Sequence, residues 1–339
     1  MRVWRGPDGG APSYSVRRPA AQMPPRAPRL QHGFAAARTL FPDNICAPLI
    51  LPTSHLLLAL AVVAVWGTNF VVIRWGLDGL PPFLFATLRF AFSALPWLLF
   101  VPRPQVGWLP MAAFGMLLGV GQFGLLFLAM RGSISPGMAS LVVQMQVFFT
   151  IGLALVLMKE RVRPYQLAGL ALSVGGLCLI AAHLDATITA LGLALVLCAG
   201  FCWACANIVI KQIGQVNMLH FMVWSSAFAV PPLLALSLWL EGPAVIGQAV
   251  TGAGPLIWAS VAWQAVGNTL FGYGAWNWLL ARHPAASVAP TALLVPVFGM
   301  GASALLLGEA MPWWKLEAGS LVLAGLAVII FWPRLRRSF

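Results

Sequence analysis

Charge is what this sequence has least of. Only 8% of its 339 residues are charged, and the acids number eight: Asp8, Asp43, Asp78, Glu160, Asp185, Glu241, Glu309 and Glu317. A water-soluble domain carries about 25% charged residues, so this chain could not cover a water-facing surface. Hydrophobic residues make up 60% and mean hydropathy is +0.87; the solvent is a bilayer. The motifs of common hydrolytic sites are also missing. No HExxH, no GxSxG and no paired acids at one depth occur, which argues against a membrane enzyme. Cysteine is scarce. Of Cys46, Cys178, Cys198, Cys202 and Cys205, all but the first lie in apolar segments, so no disulfide framework is indicated. Cys198, Cys202 and Cys205 share a helix face; a small-residue helix contact is the expectation there, with no metal and no cofactor.

Residues 1–50 lack the continuous apolar core of a secretory signal. Rich in Arg, Pro, Ala and Gly, they read as a basic, disordered cytoplasmic tail, or as an over-long start for which Met23 is the alternative. The net charge of +12 does not point to nucleic acid. Seven of the twenty basic residues lie in that tail, and most of the others fall in loops on one side of the membrane.

Ten apolar segments follow, each near the ~20 residues a bilayer span needs: 56–76, 81–101, 108–130, 136–158, 165–183, 188–210, 219–240, 254–280, 285–307 and 314–332. With a cytoplasmic N-terminus, inside loops carry Arg103, Lys159, Arg161, Arg163, Lys211, Arg282, Arg334, Arg336 and Arg337, against Arg131 and Lys315 outside. That bias predicts a multi-pass membrane protein with both termini cytoplasmic.

The two halves repeat each other weakly. Trp66 to Arg74 and Trp203 to Lys211 keep one spacing, each with an intervening Asn (Asn69, Asn207). Glu160 answers Glu309, and Gly169 and Gly175 answer Gly319 and Gly325. Five spans per half invert the second copy, the architecture of small secondary transporters with a site at the repeat interface. The predicted fold class is therefore an all-α integral membrane protein: ten transmembrane helices as two inverted five-helix repeats, 54–183 and 188–332, closed by a basic cytoplasmic tail, 333–339.

Several stretches carry a resemblance: Trp66-Gly67 with Asn69 to Ile73, Pro81-Pro82, Leu88-Arg89-Phe90, Gln122-Phe123, Ser140 to Val142, and Gln144 with Gln146. In the second half come Trp203 to Cys205 with Asn207, Val223-Trp224-Ser225, Gly272-Tyr273-Gly274 with Trp276, Val288 to Pro290, Leu293 to Val297, and Glu309. From about residue 54 onward the chain resembles the EamA branch of the drug/metabolite transporter superfamily. The resemblance implies an exporter of small amino acids or their derivatives, of the cysteine and O-acetylserine kind, in a bacterial inner membrane. Export of other metabolites or drugs, such as aromatic amino acids or nucleosides, is the alternative, and a non-transporting scaffold the distant one. Expected partners are a small-molecule metabolite and the lipid bilayer, without nucleic acid; a homodimer is left open.

Polar side chains inside a membrane are costly unless paired or facing a cavity, and those of this chain are the candidate binding residues. Arg89 lies deep in the second span with no acid at its depth, and could attract a substrate carboxylate or be held by backbone carbonyls. Asn69, Gln122, Gln144, Gln146 and Thr150 in the first half, and Asn207, Gln264, Asn268, Thr269 and Asn277 in the second, offer neutral donors and acceptors; interhelical hydrogen bonding is the competing role. Gln144 and Gln146 stand two apart, so one helix face cannot present both squarely. Trp66, Trp203, Trp224 and Tyr273 lie within spans, where cation–π contact could serve an ammonium group. Gly115 and Gly119 form a close-contact face, Pro290 and Pro296 should kink the ninth span, and Glu160 and Glu309 are expected to lock helix ends through Arg or Lys.

Overall fold

The computed structural model describes residues 51–158, 164–184, 188–214, 216–283 and 288–335. The tail, 1–50, and Glu160 with its basic neighbours lie outside them. The described chain is helical, with one isolated antiparallel bridge, Ile134 to Ile188. We label the helices α1 (Thr53–Leu77), α2 (Pro82–Ala94), α3 (Trp108–Met130), α4 (136–158), α5 (Pro164–Ala182), α6 (Ala190–Ile213), α7 (Met218–Glu241), α8 (Pro243–Gly252), α9 (255–282), α10 (289–307) and α11 (Trp313–Leu335).

Among the described residues seven helices are long and apolar enough to cross a membrane, and α8 with α9 forms a pair bent by 103°. The chain is thus a multi-pass membrane protein, though α2 and α10 are shorter than the expected spans. Thirteen residues rise only about 20 Å. The cause at α2 is Pro96, which has no N–H to offer the Phe92 carbonyl and whose ring crowds it; Leu95 itself keeps α geometry, and turns run from Leu95 to Phe100. Helix α8 was not anticipated. It starts after Gly242 (φ +84°), a conformation L side chains rarely adopt, with Pro243 in its first turn.

The halves share departures from α geometry. Met116–Gly124 in α3 and Trp263–Phe271 in α9 are both nine-residue π segments. Val143–Met145 in α4 and Ala289–Leu293 in α10 are both 3-10 turns. Packing repeats as well: α1 packs on α9 and α10 as α6 packs on α3 and α4, while α2 meets α7 and α5 meets α11. Pro296 occupies the first turn of the α-helical part of α10, where its missing N–H costs nothing; the change of geometry comes at the preceding 3-10 turn.

Small residues make the closest crossings. A Cβ on Gly115 would strike the Ser225 carbonyl of α7, and one on Gly119 would strike Ala229. Gly169 and Gly176 of α5 meet the carbonyls of Gly325 and Ala318 in α11, whereas Gly175 faces open space. Cys202 packs where a Gly121 side chain would stand, the contact role expected of the α6 cysteines. No group of three metal-ligating side chains occurs among the described residues.

Candidate functional site

A cavity of about 450 Å³ lies between helices of both halves, within the ~300–1,000 Å³ range of small-molecule sites. Trp66, Asn69, Gln122, Gln144, Gln146, Trp203, Asn207, Asn268 and Tyr273 line it. The remaining lining is apolar except for the indole of Trp276, and no charged side chain contributes. Both glutamines reach the cavity because the 3-10 turn ends at Met145 and a new α-helix begins at Gln146; they do not belong to one regular helix. The lining extends to Ile210, Met218, Leu293 and Ile330, at the end of the bundle where α1 begins and α11 ends.

Arg89 is not on the cavity surface. It is 1% exposed, with its guanidinium carbon 3.5 Å from the centre of the Phe123 ring, and Phe123 itself lines the cavity. Nη1 donates to Gln264 Oε1 at 2.7 Å and Nη2 to Thr269 Oγ1 at 3.4 Å. Amide oxygen and nitrogen are told apart by their partners. A guanidinium only donates, so Asn268 turns its Oδ1 to it, accepting from Nη2 at 3.0 Å and Nη1 at 3.2 Å. Side-chain acceptors, rather than backbone carbonyls, hold this cation. Gln264 passes the bonding on: its Nε2 donates to Asn69 Oδ1 at 2.8 Å. Among the described residues Nε of Arg89 has no partner.

A second polar cluster also joins the two halves. Asn207 Nδ2 donates to Gln146 Oε1 at 3.0 Å and to Thr150 Oγ1 at 3.2 Å. Aromatic rings form a third group, with Trp66 centred 5.5 Å from Tyr273 and 5.2 Å from Trp276. The Trp66 indole donates to the Asn268 carbonyl at 3.3 Å, inside the π segment. Gly272 makes room for that indole, since a Cβ there would strike it.

Trp224 does not line the cavity. Its Nε1 donates to the Val101 carbonyl at 3.0 Å and its ring tilts on Trp108; the non-helical chain after α2 leaves that carbonyl free. Gln264, Thr269 and Phe123 carry the Arg89 cluster, and Trp276 joins the lining. Gln264 and Thr269 are readable as polar residues within a span, but nothing in a single sequence pairs them with a residue 175 or more positions away.

The opposite end of the bundle is tied by carboxylates. Glu309 accepts from Gly137 N at 3.0 Å, from Ser135 Oγ and from Lys315 Nζ at 3.1 Å. Lys315 and Glu309 are 3% and 8% exposed. Glu241 accepts from Phe83 N at 2.6 Å, Leu84 N at 3.0 Å and Ser237 Oγ at 2.6 Å. Each carboxylate caps a helix of the first half, α4 or α2, where unpaired N–H groups and the helix dipole favour an anion. Arg74 donates to the carbonyls of Met130 and Arg131.

Apolar helices too numerous and long for any soluble role, enclosing an uncharged amide-and-aromatic cavity at the junction of two similar halves, define a membrane transporter. The profile of the EamA-like transporter family matches residues 53–182 and again 190–331, and the chain belongs to that family. It is 42% identical to a probable amino-acid metabolite efflux pump of Salmonella typhimurium, covering 83% of this chain and 96% of that one. The Escherichia coli protein of the same description is 38% identical with the same coverage. A probable terminal-alkyne amino-acid exporter of Streptantibioticus cattleyicolor is 28% identical over 79% of this chain and 90% of its own. One solved crystal structure superposes with a TM-score of 0.56 at 18% identity, covering 84% of this chain and 99% of that one; it bears on the fold alone.

Proposed function

We propose that the protein exports small amino acids or their derivatives, of the cysteine and O-acetylserine kind, by alternating access across a bacterial inner membrane. The observation that carries this reading is the cavity. Its polar groups are neutral amides and one tyrosine, suited to the ends of a zwitterion, and the rest is apolar, suited to an uncharged side chain. Relatives described as amino-acid exporters support the class. The path crosses the membrane between two inverted five-span halves; the bent pair and the shorter helices α2 and α10 complete ten spans. Both termini face the cytoplasm by the excess of basic residues in those loops. The cavity reaches that same end, so the state described is one that loads from inside. No carboxylate among the described residues lines the cavity, which favours facilitated efflux or exchange over obligatory proton antiport.

Aromatic amino acids form the second reading, favoured by Trp66, Trp203, Tyr273 and Trp276 in one lining. Counterflow in proteoliposomes separates the two. Vesicles loaded with unlabelled cysteine or O-acetylserine are expected to accumulate labelled tracer, with a Gln122→Leu variant slowed at least about tenfold, the equivalent of ~1.4 kcal/mol. Counterflow by tryptophan or phenylalanine alone would move the substrate to the second reading. Silence from every amino acid, in protein whose unfolding transition is intact, would remove both.

A further inference from the structure

The polarity of the amides around Arg89 is directional. A guanidinium offers donors only, so every amide touching it must turn its oxygen inward. Gln264 gives Oε1 to Nη1 and therefore sends its Nε2 outward, to Asn69 Oδ1. Asn69 then has Nδ2 left over, and among the described residues that group donates to nothing. Asn268, with Oδ1 on the guanidinium, likewise carries its Nδ2 on the opposite side. Asn69 and Asn268 both line the cavity, while Arg89 and Gln264 are buried behind it. The cation's sign is thus relayed to the wall as amide N–H groups, in a low-dielectric setting where such chains strengthen one another.

The Asn207 cluster has the opposite sense. Its Nδ2 is spent on Gln146 and Thr150, which leaves Oδ1 as the group without a hydrogen bond among the described residues. Gln122 adds a buried Oε1 with no partner. Both residues line the same cavity. One part of the lining is therefore donor-only and backed by a buried cation, and another offers acceptors.

We propose that Arg89 is a positioning residue that makes Asn69 and Asn268 the carboxylate site, so that a zwitterionic substrate binds with its carboxylate there and its ammonium at Asn207 Oδ1 and Gln122 Oε1. The inference rests on amino-acid export as read above and specifies how the substrate lies. Arg89 itself stays out of contact, screened by Phe123.

Asparagine-to-aspartate exchange tests it with little change of shape. In Asn69→Asp the carboxylate still accepts from Gln264, and in Asn268→Asp it still accepts from Arg89; the N–H donors facing the cavity give way to an acceptor oxygen and a negative charge. Binding to the purified full chain in detergent is read from quenching of tryptophan fluorescence, with cysteine and cysteinamide as probes under reducing conditions. Wild type should prefer the acid. Each Asp variant should lose that preference by about ten- to hundredfold, the effect of a hydrogen bond to a charged group. Arg89→Gln should lose it too, and Arg89→Lys should restore part of it. Should Arg89→Gln not fold, the two Asp variants still decide the matter. Equal affinity for acid and amide in wild type, or an unchanged ratio in both Asp variants, overturns this inference while amino-acid counterflow stands. Absence of counterflow for all amino acids overturns the export reading and this inference with it.

Discussion

The two ends of the bundle are built differently. Where α1 ends and α4 begins, contacts cross between the halves at several points: Glu309 with Ser135 and Gly137, Glu241 with Phe83 and Leu84, Thr189 with Ser133; Lys315, of the same half as Glu309, pairs with it there. At the other end, where the cavity reaches Met218 and Ile330, ties between uncharged side chains and backbone are found. His55 Nδ1 and His283 Nε2 lie 2.6 Å apart, and Trp224 bonds Val101. Buried charge holds one end and half-buried imidazoles the other. Under the alternating-access reading proposed above, the first set must break before substrate leaves outward, and those contacts would then set how rarely it does so.

The buried pair should give the largest effect. Removing one partner of a buried ion pair leaves an uncompensated charge and costs about 3–5 kcal/mol. Glu309→Leu and Lys315→Met are each expected to lower thermal stability in detergent by that amount, and the double variant Glu309→Gln with Lys315→Met to recover much of it. If either single change costs under about 1 kcal/mol, the pair does not hold this end. The same variants should raise labelling of an Ile73→Cys probe by an impermeant maleimide from outside, in a cysteine-free background. A shift of ~1.4 kcal/mol between inward- and outward-open states is a tenfold change in population. Unchanged labelling would uncouple these contacts from the transport cycle.

Glu241 comes next. It makes the same kind of cap without a cation among the described residues, so Glu241→Ala should cost about 2 kcal/mol, the upper range for a lost cap. At the other end, His55→Phe removes one half-buried bond and should cost about 1 kcal/mol. A loss at His55 as large as that at Glu309 would erase the difference between the ends.

Most of this scaffold was legible in the chain, because apolar run length and proline punctuation report spans directly. Pro96 was equally visible, and it shortens α2 because it has no N–H for the carbonyl four residues back. The π and 3-10 segments were not legible, since hydropathy does not distinguish one hydrogen-bond register from another. Arg89 stood out as a lone cation at depth, and its isolation from any carboxylate could be read from the list of acids. Its partners could not: Gln264, Asn268 and Thr269 meet it across the two halves, and no local pattern encodes such a meeting. Trp224 illustrates the converse. An indole within a span reads the same whether it faces a cavity or, as here, finds a carbonyl at the end of a neighbouring helix.

The smallest effect is expected from a pair of almost identical geometry. Arg74 Nη2 stands 3.3 Å from Asp78 Oδ1, against 3.1 Å for Lys315 and Glu309, but its side chains are 39% and 55% exposed. Water screens such a pair and the side chains lose rotamer freedom to form it, so exposed i,i+4 pairs contribute about 0.3–0.5 kcal/mol. Asp78→Asn should therefore shift the unfolding midpoint by less than the scatter of the measurement, and what shift there is should vanish at high salt. Arg74 keeps its bonds to the Met130 and Arg131 carbonyls in that variant, so its place at the helix end is unchanged. A salt-insensitive loss approaching that of Lys315→Met would mean that distance, and not burial, decides what an ion pair contributes at this end. The contrast drawn between buried and half-buried ties would then fail with it.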